Sequence, residues 1–303
     1  MAQTSAPAQS PAESRGELPQ PTRLDDVKGW FRPVDQVLFD WFLTLQRDRG
    51  EAGDLLELGA YMGKSAIFLG MYLRDGEEFT VCDLWDSPAP DVSNSAEMNR
   101  SYATLTRRAF EANYLSFHDQ LPTLVQAPTS VISSRVRGAS CRFVHIDASH
   151  LYEHVKNDIE AARELVTTDG LVVLDDFRAE HCPGVAAAAW GAVATSGLRP
   201  VCITATKMYG TWGAPEKTHD ALLAWLRTRT DLVHVVEEVA GAPLIRIDGK
   251  KSASPAQPES RHRPGPATGA AQRRRAPLAR RVARDLLPPI LTRALRRVVH
   301  GRR

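Results

Sequence analysis

Three short apolar runs in this chain end in aspartate: Phe79-Thr-Val-Cys-Asp83, Phe143-Val-His-Ile-Asp147 and Leu171-Val-Val-Leu-Asp175-Asp176. A fourth, Asp54-Leu-Leu-Glu-Leu58, runs into a glycine turn. Between them lie stretches with apolar residues three and four apart. The clearest is 151–166, where Tyr152, Val155, Ile159, Ala162 and Val166 share a stripe. Another helix is expected from Pro33, with Val34, Leu38, Trp41, Phe42 and Leu45 on one face, and a further one within 98–117. More strands are expected at 199–205, 232–238 and 243–247. Strands that alternate with helices predict an α/β fold: a doubly wound, mostly parallel, Rossmann-like sheet with helices on both faces. Such sheets bind ligands at the carboxyl ends of their strands, where the aspartates would collect.

The alternating pattern occupies about residues 25–248, a length one core can serve. Residues 1–22 are rich in Pro, Ser, Ala and Gln and are expected to be disordered; 249–276 reads as a linker of the same kind. The formal charge of +2 hides a division. Residues 249–303 carry 15 Lys and Arg against two acids, net +13, which leaves 1–248 at −11. Within the tail, 277–303 holds a basic amphipathic pattern interrupted by Pro288 and Pro289, a pattern that suits a membrane surface, a protein partner, or a solvated tail. It has neither interleaved aromatics nor a nucleic-acid motif, so no specific nucleic acid is expected. No apolar run reaches the ~18 residues of a membrane span. The start lacks the features of a signal peptide, and the four cysteines form no CxxC pair. The expected setting is the cytoplasm, with peripheral contact at the inner membrane face through the tail.

The turn Glu57-Leu-Gly59-Ala-Tyr-Met-Gly63-Lys-Ser65 sits between a strand and a helix. Glycines there let backbone approach a ligand at a helix N-terminus. A phosphate-binding loop needs four residues between its glycines, and this turn has three. The GxGxxG dinucleotide fingerprint is absent. A tight turn with no ligand is one reading. The other is that E-x-G-x-x-x-G-x-S resembles the first motif of class I S-adenosylmethionine-dependent methyltransferases. That resemblance implies cofactor contacts from Glu57, Gly59, Gly63 and Ser65, with Asp83 on the ribose hydroxyls.

The segment His145-Ile-Asp147-Ala-Ser-His150-Leu-Tyr152, followed by Asp175-Asp176-Phe177, extends the match. Together with Gly29-Trp30 and the glycine turn, it resembles the metal-dependent sugar O-methyltransferases of the macrocin and mycinamicin type and the group named cephalosporin hydroxylases. The resemblance spans roughly 25–248. It implies Mg²⁺, or another hard divalent cation, on Asp147, Asp175 and Asp176, and His150 as general base. The chemistry is coherent: a neutral hydroxyl is a poor nucleophile, carboxylate oxygens suit a hard cation, and a metal-bound hydroxyl loses its proton more readily. Imidazole is a suitable base near neutral pH. On a regular strand His145 points the opposite way from the neighbours of Asp147, and it reads as core or support. The chain departs from the family at Ala148-Ser149, where glycine is common.

The expected activity is Mg²⁺-assisted methyl transfer from S-adenosylmethionine to a hydroxyl of a sugar or glycosylated metabolite. An oxidative enzyme on the same fold, or a non-catalytic binding protein recruited to membranes by its tail, stands as the alternative. The partner is then a small-molecule or glycan hydroxyl acceptor, and a homo-oligomer is compatible with the reading. Residues 84–104 could form a lid or substrate loop. His181, Trp190, Lys207, Tyr209 and Trp212 are candidates either for substrate contact or for packing.

Overall fold

The computed structural model describes residues 18–88 and 105–264. The sequence expectations for 1–17, for the loop at 89–104, for the rest of the linker and for the basic tail fall outside the described residues. Nine strands form one sheet in the order β3-β2-β1-β4-β5-β7-β6-β9-β8. The central strands β1 (Asp54–Leu58), β2 (Phe79–Asp83), β3 (Thr123–Gln126), β4 (Cys141–Ile146) and β5 (Val166–Leu174) are parallel neighbours. Beyond β5 the sheet turns mixed: β7 (Met208–Thr211) runs antiparallel to β5 and to β6 (Arg199–Ile203). The last pair, β8 (Val233–Val239) and β9 (Ala242–Asp248), forms an antiparallel hairpin joined to β6 through β9. The chain thus has a Rossmann-like fold, an open and mostly parallel sheet flanked by helices on both faces.

One face carries α1 (Pro33–Asp48), α2 (Lys64–Gly70), α3 (Arg107–Leu115) and α6 (Glu216–Leu226); the other carries α4 (Tyr152–Leu165) and α5 (Pro183–Thr195). Period-two alternation sorts the strands between the two cores. Leu55 and Phe143 face the first, whereas Leu56, Leu58, Val144 and Ile146 face the second. Phe39 of α1 meets Phe143 edge-on at 5.0 Å and the His145 ring at 5.2 Å. Burying such a phenyl ring contributes about 1.5–3 kcal/mol. It also fixes α1 over the carboxyl half of β4.

The chain passes straight from Leu165 into β5, so Thr168-Asp-Gly170 lies within the strand. β3, α5, β7 and α6 are absent from the sequence reading; β3 and β7 have only four residues each, too few for a periodic signal. Residues 249–264, read from composition as the start of a linker, are packed on the body. Ser260 Oγ donates to the Pro21 carbonyl at 2.6 Å, and the Arg261 amide donates to the Ser116 carbonyl at 2.9 Å. Gln257 reaches Gln36 on α1. Proline and glycine remove helix and strand options without forbidding burial, and these polar contacts hold an irregular strap in place.

Candidate active site

The carboxyl ends of β1, β2, β4 and β5 meet at the point where strand order reverses between β1 and β4. Gly59 ends β1 at φ +78°, and a Cβ there would run into the Asp147 carbonyl oxygen. The first glycine therefore lets the turn lie against the end of β4, a reason sequence alone did not supply. Gly63, at φ +91°, caps α2, and a Cβ there would come within 3.0 Å of the Phe110 ring. Ser65 follows in the first turn of α2 and is buried.

Asp83 clamps this turn. Its Oδ2 accepts from the amides of Ala60 (2.7 Å) and Tyr61 (2.9 Å), and its Oδ1 accepts from the Trp85 amide at 2.7 Å. Burial raises the Asp83 carboxyl and these amides pull it back, with a net upward shift. A carboxylate offers about four lone-pair directions, so capacity for a ribose hydroxyl remains. Trp30 lies over the turn, 71% exposed, stacked 6.0 Å from the Tyr61 ring. Tyr61, Trp85 and Asp176 are non-glycine residues in the left-handed region, all on this rim. Such backbone conformations cost about 1–3 kcal/mol each and tend to gather at functional sites.

Glu57 is placed differently from the other turn residues. It is fully buried below the turn, where its Oε1 lies 2.7 Å from His145 Nδ1. It therefore supports the turn from beneath and does not offer a surface to a cofactor. Burial pushes it up to about 8, opposed by the Ser65 hydroxyl and the Lys207 charge.

Asp147, Asp175 and Asp176 stand at adjacent strand ends. Donor atoms of His145, Asp147 and Asp175 all lie within 4.8 Å of one another; Asp176 is not in that group. Burial and the neighbouring Asp175 charge hold the Asp147 carboxyl well above the usual range. Two crowded carboxylates of this kind call for a cation, so the donor set fits a hard divalent ion. Asp176 turns the other way, with Oδ2 3.4 Å from His150 Nε2. Burial raises Asp176, but the His150 hydrogen bond and charge win and lower it. The His150 ring also meets the His181 ring edge-on at 5.7 Å. Gly184, near the start of α5, lets the His150 backbone approach closely: a Cβ there would sit 2.6 Å from the His150 carbonyl oxygen. Asp147, His150 and Asp175 line one small cavity.

Lys207, among the sequence candidates for substrate contact, is instead buried with its ammonium on Asp175. Its Nζ is also 3.1 Å from His145 Nε2. Asp35, at the start of α1, was missed altogether. It is fully buried and accepts from Tyr209 Oη (2.8 Å), Thr204 Oγ1 (2.9 Å) and Thr206 Oγ1 (3.2 Å). An aspartate early in a helix is so common that no sequence signal marks this one.

Residues 56–177 match the family described as a methyltransferase domain. The match covers less than half of the chain, and that segment is similar to a methyltransferase domain. The matched segment runs from β1 through Phe177, so it contains the glycine turn, Asp83, Asp147, His150, Asp175 and Asp176, while Asp35 and Lys207 lie outside it. No curated protein matches this chain in sequence. Among solved structures it is similar to the O-methyltransferase NovP, at 15% identity over 59% of this chain and 79% of that one, TM-score 0.50. Apo CalS11, a TDP-rhamnose 3'-O-methyltransferase, aligns at 17% identity over 60% of this chain and 82% of its own, TM-score 0.41. TomG from Streptomyces achromogenes, in complex with SAM, aligns at 17% identity over 71% and 77%, TM-score 0.32. Among the described residues, no helix is long and apolar enough to cross a membrane.

Proposed function

We propose that this protein moves the sulfonium methyl group of S-adenosylmethionine to a hydroxyl of a sugar or glycosylated metabolite. The observation that carries this reading is the contact between two halves of the rim. The Gly59 turn lies directly against Asp147, so a cofactor on the turn would face the carboxylates and His150. Glycines 59 and 63 supply the close backbone approach, and Asp83 both fixes the turn amides and offers its remaining lone pair to the ribose. In the transfer the methyl carbon–sulfur bond breaks, a carbon–oxygen bond forms, and the hydroxyl proton leaves. His150 is the group we assign to receive that proton, with Asp176 orienting its ring from 3.4 Å and stabilising the imidazolium that forms.

Mg²⁺, or another hard divalent cation, belongs to this reading, with Asp147 and Asp175 as its holders; Asp176, expected from the sequence as a third, lies against His150 instead. Bound there, such an ion acidifies an adjacent substrate hydroxyl. Hydroxyl acceptors bearing a neighbouring oxygen, as sugars do, suit the crowded carboxylates. A cytoplasmic setting with peripheral membrane contact through 277–303 completes the proposal, and vesicle sedimentation of the full chain against a chain ending at 264 tests it.

Titration calorimetry with S-adenosylmethionine and S-adenosylhomocysteine tests the cofactor. Mass spectrometry of metabolite extracts, seeking a gain of one methylene mass in a glycosylated acceptor, tests the transfer. Binding of neither nucleoside would refute the reading. Turnover that survives a chelator would remove the metal from it.

A further inference from the structure

Lys207 is a buried lysine aimed into the acidic rim from outside the matched methyltransferase segment. The tight turn between β6 and β7 sets it there: the Lys207 amide donates to Thr204 Oγ1 at 3.0 Å, and the Thr204 amide donates to the Lys207 carbonyl at 2.9 Å. With the backbone pinned at both ends, the side chain runs inward past Phe31 and Phe39, whose ring centroids lie 5.7 and 5.9 Å from Nζ. It ends on Asp175 and His145 Nε2. Its side chain is 2% exposed, and that of Asp175 is 9% exposed. Charges on Asp147 and Asp35 also bear on it.

The donor atoms of His145, Asp147 and Asp175 are close enough together to hold a metal ion. Two of those three residues already hold the lysine. An ammonium carries the positive charge the crowded carboxylates need, and it arrives on a side chain that cannot diffuse away. A divalent ion reaching Asp175 must either share the carboxylate with a fixed cation at close range or displace it. Both are unfavourable where water is largely excluded.

We infer that Lys207 is the resident cation of the His145–Asp147–Asp175 cluster and that it weakens divalent-ion binding at the rim by competing for Asp175. The inference shares its carboxylates with the proposed metal site, yet it concerns ion affinity and can be read without turnover. Lys207 is thus a positioning residue, holding Asp175 ready when no divalent ion is bound and yielding it when one arrives.

The test is Mn²⁺ titration of the full chain by calorimetry and by electron paramagnetic resonance, comparing wild type with Lys207→Met. The expected result is at least a tenfold tighter single Mn²⁺ site in K207M, lost again when Asp147→Asn is added. Equal or weaker Mn²⁺ binding in K207M, or no Mn²⁺ bound by either protein, overturns the inference. Lys207→Gln, which keeps a donor for Asp175, serves if the methionine variant fails to fold. Should neither fold, wild-type crystals soaked in Mn²⁺ decide: Nζ displaced from Asp175 supports competition, and Nζ still on Asp175 beside bound Mn²⁺ overturns it. S-adenosylmethionine calorimetry on the same samples separates this from the proposed activity. Lost cofactor binding with an intact Lys207 effect on Mn²⁺ would refute the activity alone.

Discussion

His145 and Glu57 are register partners on β4 and β1, and His145 Nδ1 lies 2.7 Å from Glu57 Oε1 with both side chains fully buried. Burial and the Lys207 charge hold His145 well below its usual range, so the ring is neutral. The Lys207 ammonium beside Nε2 can only donate, which makes Nε2 the acceptor and places the ring proton on Nδ1. A directed chain results: Lys207 donates to His145, and His145 donates to Glu57. Glu57, pushed up to about 8, keeps its own proton at neutral pH. The chain joins the underside of the glycine turn to the acidic rim through two neutral groups, Glu57 and His145, that end on the Lys207 ammonium.

The Glu57 shift has a signed consequence for stability. Unfolded, the group ionises near 4.5; folded, near 8. Between those values the native state binds more protons than the unfolded state, so stability falls as pH rises through the window and levels off above it. Glu57→Gln is expected to be well tolerated at neutral pH and to flatten that fall. Urea midpoints for both proteins across the window check it; parallel curves would show that Glu57 is ionised in the fold.

Asp175 is bound to a buried ammonium, so removing it strands that charge. Asp175→Ala is expected to cost about 3–5 kcal/mol, the usual range for a buried pair broken from one side. Adding Lys207→Met should recover most of the loss. Thermal or urea unfolding of the two single variants and the double variant reads the coupling directly. Additive losses would mean that the pair contributes nothing.

Gly59 carries two burdens, a left-handed backbone and contact with the Asp147 carbonyl. Gly59→Ala is expected to lose at least about 2 kcal/mol of stability, from backbone strain and from separating β1 and β4. It should also weaken S-adenosylmethionine binding. Denaturation and calorimetry on the same preparation test both effects.

Asp83 accepts three backbone amides. Asp83→Asn keeps one oxygen but turns an NH₂ group toward an amide donor. The expected costs are about 1–3 kcal/mol in stability and a roughly tenfold or greater loss of S-adenosylmethionine affinity. Unchanged affinity in a folded variant would remove Asp83 from the cofactor site.

His150→Ala should lower kcat by about a hundredfold or more while leaving S-adenosylmethionine affinity close to wild type. Steady-state kinetics paired with calorimetry separates these effects. Equal turnover would leave the His150–Asp176 pair as a structural contact.

The local pattern determined much of this protein. Apolar runs ending in acid marked β2, β4 and β5, and a stripe at helical spacing marked α4 within one residue at each end. Gly59, Asp83, Asp147, His150, Asp175 and Asp176 carry their signals in short windows, because strand-to-helix turns and strand ends are local features. Tertiary structure decided which of them face one another and what lies between. Glu57 belongs to the glycine motif by sequence, yet its partner is His145, 88 positions away. Asp35 is held by hydroxyls of Thr204, Thr206 and Tyr209, about 170 positions distant. Composition read 249–264 as linker, whereas its contacts with Pro21, Gln36 and Ser116 fold it onto the body. Lys207 is the clearest case: in the sequence it is one lysine in a short turn, and it becomes the counter-charge of Asp175 only when β7 pairs antiparallel to β5. A lysine's charge is written in the chain, but burial and distance set what that charge does, and both are properties of the assembled sheet.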